Sequence, residues 1–318
     1  MRRFTIPGIE KPLSVIAMGT DGFGVGKSIT AAEELLDIYT AAGGNVIDSA
    51  RMYGRPDVGE YGICEKVVGD WMAKRGNRKE MVLSTKGGFP GVAGNRRLDR
   101  ESLMSDVRES LAALQTDCID IWWLHRDDPD RPVGEIMDAL NEMIALGYVK
   151  NVGASNWTPA RIRQANAYAQ AQGMVGFMGN QPQWSLARQV VNPDPTLHIM
   201  DGETYRMHLD TGMLCMPFSA QAKGYIAKLV SGGEDALPAK AKARFHFPEN
   251  VAIVDRLKGM CDELHCSAAA LSLAYLTNQP FATVPIISAS RPEQLTDSLT
   301  AGDIELTAQQ CEFLRAMI

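Results

Sequence analysis

Ile119-Asp120-Ile121-Trp122-Trp123-Leu124-His125 is an almost unbroken apolar run that ends on an imidazole. Two earlier runs end in the same manner: Asn45-Val46-Ile47 leads to Asp48, and Met81-Val82-Leu83-Ser84-Thr85 leads to Lys86, with Tyr53 five positions past Asp48. Short continuous apolar runs read as strands buried on both faces, the pattern of parallel sheets covered by helices. Working outward, such runs occupy residues 15–19, 45–49, 81–86, 119–125, 149–155, 175–181, 213–218 and 282–287. Helical patterns alternate with them at 30–42, 60–74, 100–114, 133–146, 159–172, 249–264 with 267–278, and 292–300. Start signals mark several of these helices: Asp99 before Arg100-Glu101-Ser102, Thr158-Pro159, and Ser290-Arg291-Pro292. Strands alternating with helices in this way predict an α/β chain closed into a (β/α)8 TIM barrel rather than an open sheet. Residues 4–15, containing Pro7-Gly8, predict an N-terminal hairpin at the barrel bottom, and residues 307–318 an extra C-terminal helix. No linker or repeat interrupts the chain, so residues 1–318 are expected to form a single barrel domain. The longest irregular stretch, 187–212, is expected to be functional or partly helical.

The 318 residues are 45% hydrophobic and 22% charged, which describes a globular chain with ample core. A net charge of −6 without a basic cluster argues against nucleic acid as a partner. No stretch approaches the ~18 apolar residues of a membrane span. Six cysteines scattered through apolar stretches, with no C-x-x-C, read as buried free thiols in a reducing cytoplasm. Met1-Arg2-Arg3-Phe4-Thr5 has charge but no apolar segment after it, so no signal peptide is read there. Gly22-Phe-Gly-Val-Gly-Lys-Ser28 imitates a phosphate loop, but Asp21 stands where the first glycine belongs, which leaves a flexible loop at the barrel mouth. No G-x-G-x-x-G opens a helix, so a dinucleotide would bind without a Rossmann unit. His125, His198, His208, His246 and His265 share no metal-ligand spacing, and no metal is expected.

Taken singly, Asp48, Lys86 and His125 each have an ordinary structural reading as a turn cap, a surface ion pair and a core imidazole. Taken together they fall at three successive strand ends, on the face where barrel active sites lie. Tyrosine alone is a poor acid, with a pKa of about 10. An adjacent lysine paired to an aspartate is expected to favour the phenolate, and a drop of ~2–3 units corresponds to roughly 3–4 kcal/mol. Such a phenol suits proton donation to a carbonyl oxygen.

At this point the residues resemble a known family. Gly44-Asn-Val-Ile-Asp48-Ser-Ala-Arg-Met-Tyr53-Gly54 is similar to the G-x-N-x-x-D-T-A-x-x-Y-G signature of aldo-keto reductases. Ser84-Thr-Lys86, Leu124-His125, Gly153-Ala-Ser155-Asn156, Gln181-Pro-Gln-Trp184-Ser-Leu186 and Val284-Pro-Ile-Ile-Ser-Ala-Ser290-Arg291-Pro-Glu-Gln294-Leu295 resemble its later motifs, in order. The resemblance implies an NADPH-dependent oxidoreductase that reduces an aldehyde or ketone, with NADH the weaker cofactor. Tyr53 would be the general acid, Lys86 and Asp48 its tuning pair, and His125 the group orienting the carbonyl. Ser155, Asn156 and Gln181 would hold the nicotinamide carboxamide, and Trp184 would stack on the ring. Ser219, Gln221 and Lys223 would reach the pyrophosphate. Ser290, Arg291, Gln294 and Ser298 would hold the adenine end, with Arg291 pairing a 2′-phosphate.

The chain departs from the pattern at Asp297-Ser298, where the family often has Glu-Asn, and in its seventh strand, which lacks Tyr-Ser-Pro-Leu. Substrate walls are expected from Phe23, Phe89, Trp157 and at most one of Trp122 and Trp123, with Arg51, Arg126, Asp127 and Asp128 as polar contacts. That mixed lining points to a sugar-derived or other polar carbonyl as the small-molecule partner. Two other readings stand beside this one: a cofactor-binding auxiliary barrel with little turnover, and a Schiff-base aldolase using Lys86.

Overall fold

The computed structural model describes residues 1–91, 94–189, 191–192 and 194–315. β1 (Arg3–Phe4) pairs antiparallel with β2 (Leu13–Ser14), which is the expected hairpin. β3 (Ala17–Gly19), β4 (Val46–Asp48), β5 (Val82–Gly87), β6 (Ile119–Leu124), β7 (Val149–Ser155), β8 (Gly179–Gln181), β9 (Leu214–Cys215) and β10 (Ile286–Ile287) form one sheet. Its eight strands run parallel in the order β10-β3-β4-β5-β6-β7-β8-β9. The sheet closes on itself between β9 and the segment entering β10, where Cys215 N–H bonds Ala282 O (2.9 Å), Val284 N–H bonds Cys215 O (2.8 Å) and Ile286 N–H bonds Pro217 O (2.9 Å). The fold is the expected (β/α)8 barrel. The expected strand at 175–181 shortens to β8 because the N–H groups of Val175 and Phe177 go to the side chains of Asn141 (2.9 Å) and Asn166 (2.7 Å) instead of a ladder.

α1 (Ile29–Ala41), α2 (Ile63–Arg75), α3 (Arg100–Leu114), α4 (Val133–Ala145) and α5 (Pro159–Ala171) fall within a few residues of the sequence reading. Asp99 and Thr158 cap as expected, each side chain accepting from the N–H three residues on. α6 (Gly202–Thr211), α7 (Tyr225–Gly232) and α8 (Ala239–Phe245) precede α9 (Pro248–Leu264), α10 (Ala268–Thr277), α11 (Pro292–Leu299) and α12 (Ala308–Leu314). α6 supplies the expected helical part of 187–212, and positions 190 and 193 of that stretch, like 316–318 of the expected last helix, lie outside the described residues. α11 starts on Pro292 with Arg291 as its N-cap and no side-chain cap, so Ser290 does not serve as the start signal.

The barrel interior is one apolar layer in which Ile6, Ile9 and Leu13 of the hairpin region meet Ala17, Val46, Val82, Ile121, Trp123, Leu214 and Val284. Trp123 therefore points into the barrel, while Trp122 packs in the larger cluster between sheet and helices. Both are fully buried, so neither forms a substrate wall.

Between α2 and β5 lies an acid. Glu65 is fully buried, its Oε1 accepts from Thr85 Oγ1 (2.6 Å), and burial pushes its carboxyl up to about 7. A carboxyl raised from its unfolded value contributes stability that is present below the unfolded pKa and lost as pH climbs toward the folded one. The Glu65 contribution to stability should thus decline between about pH 4.5 and about pH 7. Glu65→Gln removes the charge and keeps an acceptor for Thr85, so it should stabilise the protein at pH 8 by roughly 3 kcal/mol. Urea denaturation of both proteins at pH 5 and pH 8 checks this, and parallel curves at the two pH values would contradict it.

Candidate active site

The strand ends gather the polar residues on one rim. Asp48 closes β4, Lys86 is next to last in β5, His125 follows β6, and Ser155 and Gln181 close β7 and β8. Asp48 and Lys86 are 2% and 3% exposed, an arrangement tolerable only if both charges are fully satisfied. The Lys86 ammonium donates to Asp48 Oδ2 and to Ser49 O (2.8 Å). The other carboxylate oxygen, Oδ1, accepts from Ser84 Oγ (2.7 Å) and from Gln181 Nε2 (2.9 Å).

Tyr53 is delivered by the turn after β4, where its N–H bonds Ala50 O (2.9 Å) and its carbonyl accepts from Cys64 N–H of α2 (3.3 Å). Lys86 Nζ lies 5.4 Å from the centre of the Tyr53 ring, and the His125 ring meets it edge-on at 5.9 Å. The Tyr53 hydroxyl makes no hydrogen bond to a described residue. With Asp48 it borders a cleft of about 580 Å³ that runs past Thr20, Phe218 and Ser219 to Ser290, Gln294 and Ser298.

Electrostatics correct one expectation. The Tyr53 phenol is held well above its ordinary value, by burial first and then by the carboxylates of Asp48 and Asp21, with the Arg126 guanidinium pulling the other way. The ammonium of Lys86 is already met by Asp48, so it does not produce the expected drop. Tyr53 is a phenol that keeps its proton. His125 is pushed well below the usual imidazole value by burial and by the cations Lys86 and Arg126, so the ring is neutral. Its Nδ1 is buried without a partner among the described residues.

Gln181 is fully buried, and its Oε1 has no hydrogen-bond partner among the described residues. Ser155 Oγ donates to Gln181 O (3.0 Å). Asn156, left-handed at φ 63°, donates both amide hydrogens to the framework, to His125 O and to Ser155 Oγ (each 3.1 Å), and accepts from His198 N–H (3.1 Å). Farther along the cleft, Ser219, Ala222 and Lys223 all have positive φ (54°, 47° and 56°), a conformation non-glycine residues adopt at a price of order 1–3 kcal/mol each and mostly at binding sites. Gln221 ties this loop to α11, donating to Ser298 Oγ (3.1 Å) and accepting from Ser288 N–H (3.3 Å). Gln294 accepts from Ser290 N–H (3.2 Å). Burial and the neighbouring cations Arg244 and Lys240 lower the Lys223 ammonium from its usual value. Arg291 is exposed beside Ser290 and has no ion pair with a described residue.

The family model described as Aldo/keto reductase family matches residues 15–318. The chain belongs to the aldo/keto reductase family. Among curated proteins it is 31% identical over 301 residues to aldo-keto reductase ausK of Emericella nidulans, covering 90% of this chain and 72% of that protein. It is 30% identical over 288 residues to norsolorinic acid reductase stcV of the same organism, covering 87% and 69%. Aryl-alcohol dehydrogenase [NADP(+)] of Phanerodontia chrysosporium is 28% identical over 305 residues, covering 89% and 75%.

In this aldo/keto reductase Trp184 is not at the cleft. Its ring packs against Phe281 (6.1 Å, nearly stacked) and edge-on against Tyr205 and Tyr275 (each 6.0 Å), inside a buried aromatic cluster. The aromatic that borders the cleft beside Tyr53 is Phe218. It ends the run 213–218, so the strand-end rule that singled out Lys86 and His125 also reaches it. Asp21 and the α7 residues Ala227 and Lys228 line the same cleft and carry no motif.

The expected substrate residues divide. Phe23 and Trp157 are fully buried, so neither is a wall; Trp157 packs on Phe177 at 5.3 Å and donates to Arg126 O (3.2 Å). Arg51 is held by Asp106 (3.2 Å) and Glu109 (2.5 Å), Asp127 by Arg161 (3.2 Å), and Asp128 by Arg96 (2.8 Å). Phe89 and Arg126 remain near the chemistry: Phe89 lies 4.9 Å from the His125 ring, with the Arg126 guanidinium 5.0 Å above it. The loop 22–28 is tight, not slack, closed by Gly24 N–H to Lys27 O (2.9 Å) and Lys27 N–H to Gly22 O (2.9 Å).

Proposed function

We propose that this oxidoreductase reduces aldehydes or ketones with NADP(H), Tyr53 giving the proton and residues 1–318 acting as one domain in a reducing cytoplasm. The observation that carries the reading is the Tyr53 hydroxyl, unshared at the cleft, with Lys86 and His125 on its ring and the orphaned Gln181 Oε1 on the Asp48 side. A buried acceptor without a donor is costly, and a carboxamide N–H satisfies it. Gln181 and Ser155 would hold the carboxamide and Phe218 would offer the ring a flat apolar face. Ser219, Gln221, Lys223 and Lys228 would meet the phosphates, and Ser290, Arg291, Gln294 and Ser298 the adenosine end.

When bound, the reduced nicotinamide supplies the hydride. The rest is done by the chain. The neutral His125 orients the carbonyl oxygen through a ring N–H, and Tyr53 donates its proton to that oxygen as negative charge develops. Lys86, held in place by Asp48, then faces the phenolate that Tyr53 becomes. Because Arg51, Asp127 and Asp128 are engaged by protein partners, the polar lining that favoured a sugar is already committed. Phe89 beside His125 favours an aryl carbonyl, in line with the relative named aryl-alcohol dehydrogenase.

A panel of benzaldehydes, aryl ketones and sugar aldehydes, followed by NADPH absorbance, tests both parts. The proposal expects turnover, fastest on aryl aldehydes. No oxidation above a Tyr53→Phe control would favour a cofactor-binding auxiliary barrel instead. Arg291→Ala should weaken NADPH by roughly 10–100-fold, the worth of a charge-assisted bidentate contact, and leave NADH unchanged. An unaltered NADPH/NADH preference would remove Arg291 from that role.

A further inference from the structure

The Asp48 carboxylate is fixed from inside the barrel as well as from the rim. Trp123 Nε1 lies 2.8 Å from Ser84 Oγ, and Ser84 Oγ lies 2.7 Å from Asp48 Oδ1. The direction of this chain is determined by its chemistry. An indole N–H can only donate, so Ser84 Oγ accepts from Trp123. Asp48, as the partner of an ammonium, only accepts, so the single hydroxyl proton of Ser84 points to Oδ1. Trp123, Ser84 and Asp48 are 0%, 1% and 2% exposed, so water does not substitute for any link.

The barrel is built around the first link. A Cβ on Gly153 of β7 would stand 2.3 Å from the Trp123 ring, and one on Gly179 of β8 3.0 Å from it. Two strand glycines, each unfavourable in a strand interior, leave room for the indole. Oδ1 has a second donor, Gln181 Nε2 at 2.9 Å, whose other amide atom, Oε1, has no partner among the described residues. With Ser84 present, the carboxylate plane is set by two donors from different strands, and Oδ2 is presented to Lys86. Without Ser84, Gln181 alone would hold Oδ1 while also serving the nicotinamide.

We propose that Ser84, aligned by Trp123, is a positioning residue: it fixes the Asp48 carboxylate, and through it Lys86, independently of the cofactor-side contact made by Gln181. The inference rests on the carbonyl-reductase reading above. It acts on the proton-transfer step and not on binding.

Turnover of an aryl aldehyde by Ser84→Ala, Trp123→Phe and the double variant tests it, with kcat expressed per NADPH-binding site titrated by fluorescence so that misfolded protein does not count. Ser84→Ala should lower kcat about ten- to a hundredfold, the size expected for one lost buried hydrogen bond to a charged group, with KM and NADPH Kd within twofold of wild type. Trp123→Phe should lower kcat by a smaller factor, and the double variant should match Ser84→Ala, because the indole acts only through the hydroxyl. Ser84→Thr, which retains the hydroxyl, should recover most of the loss. Wild-type kcat in Ser84→Ala, a parallel rise in NADPH Kd, or independent multiplication of the two effects would overturn the proposal. Absence of turnover in the wild type would instead overturn the carbonyl-reductase reading.

Discussion

Lys86→Met should inactivate the protein and also destabilise it by about 3–5 kcal/mol, because removing one partner leaves a buried charge uncompensated. The side chains of Asp48 and Lys86 are each 3% exposed, and after the substitution the carboxylate keeps only Ser84 and Gln181 as donors. Against the ~5–15 kcal/mol stability of a typical protein, that is a large fraction. The two effects separate in the double variant Lys86→Met with Asp48→Asn. Neutralising the aspartate removes the stranded charge, so most of the stability should return. Activity should not, since the Lys86 ammonium no longer faces the phenolate. Urea denaturation and NADPH oxidation on the three proteins check both halves. A double variant as unstable as Lys86→Met alone would mean that the loss comes from packing and not from charge.

The second large effect is confined to chemistry. Tyr53→Phe should reduce kcat by roughly 10²–10⁴-fold, the usual contribution of a positioned general acid. The fold should not notice. The hydroxyl has no hydrogen-bond partner among the described residues, so its removal strands nothing, and NADPH binding should be unchanged. The phenol is held well above its ordinary pKa, which keeps the proton in place until the carbonyl oxygen draws it. Near wild-type turnover in this variant would mean that the proton comes from another donor.

The barrel was legible because its strands are buried on both faces and therefore appear as continuous apolar runs. β5 and β6 are buried at every position. The polar rim was legible because Asp48, Lys86 and His125, each ordinary alone, end three successive apolar runs on the face where barrel active sites lie. What escaped reading has physical causes. α6 hides its buried stripe behind Thr204 and His208 and starts on Gly202, which reads as a breaker. α7 and α8 are two turns long, too short for a period to show, although α7 walls the cleft.

Trp184 illustrates a limit of motif reasoning. Its position in the sequence agrees with the pattern, yet three aromatic neighbours claim its ring, and Phe218 stands at the cleft instead. Phe23 and Trp157 failed as substrate walls for a similar reason: a large apolar side chain near a mouth is pulled into the core unless something holds it out. The phenol was misjudged because the sequence shows Lys86 near Tyr53 but not that Asp48 and Ser49 claim its ammonium first.

A crystal structure of the protein with NADP⁺ tests the central claim most directly, because it locates the nicotinamide without relying on any substrate. The carboxamide nitrogen should lie within hydrogen-bonding distance of Gln181 Oε1, with the ring against Phe218 and its reactive edge toward the Tyr53 hydroxyl. A nicotinamide bound away from Gln181, with Tyr53 facing no part of the ring, would contradict the account.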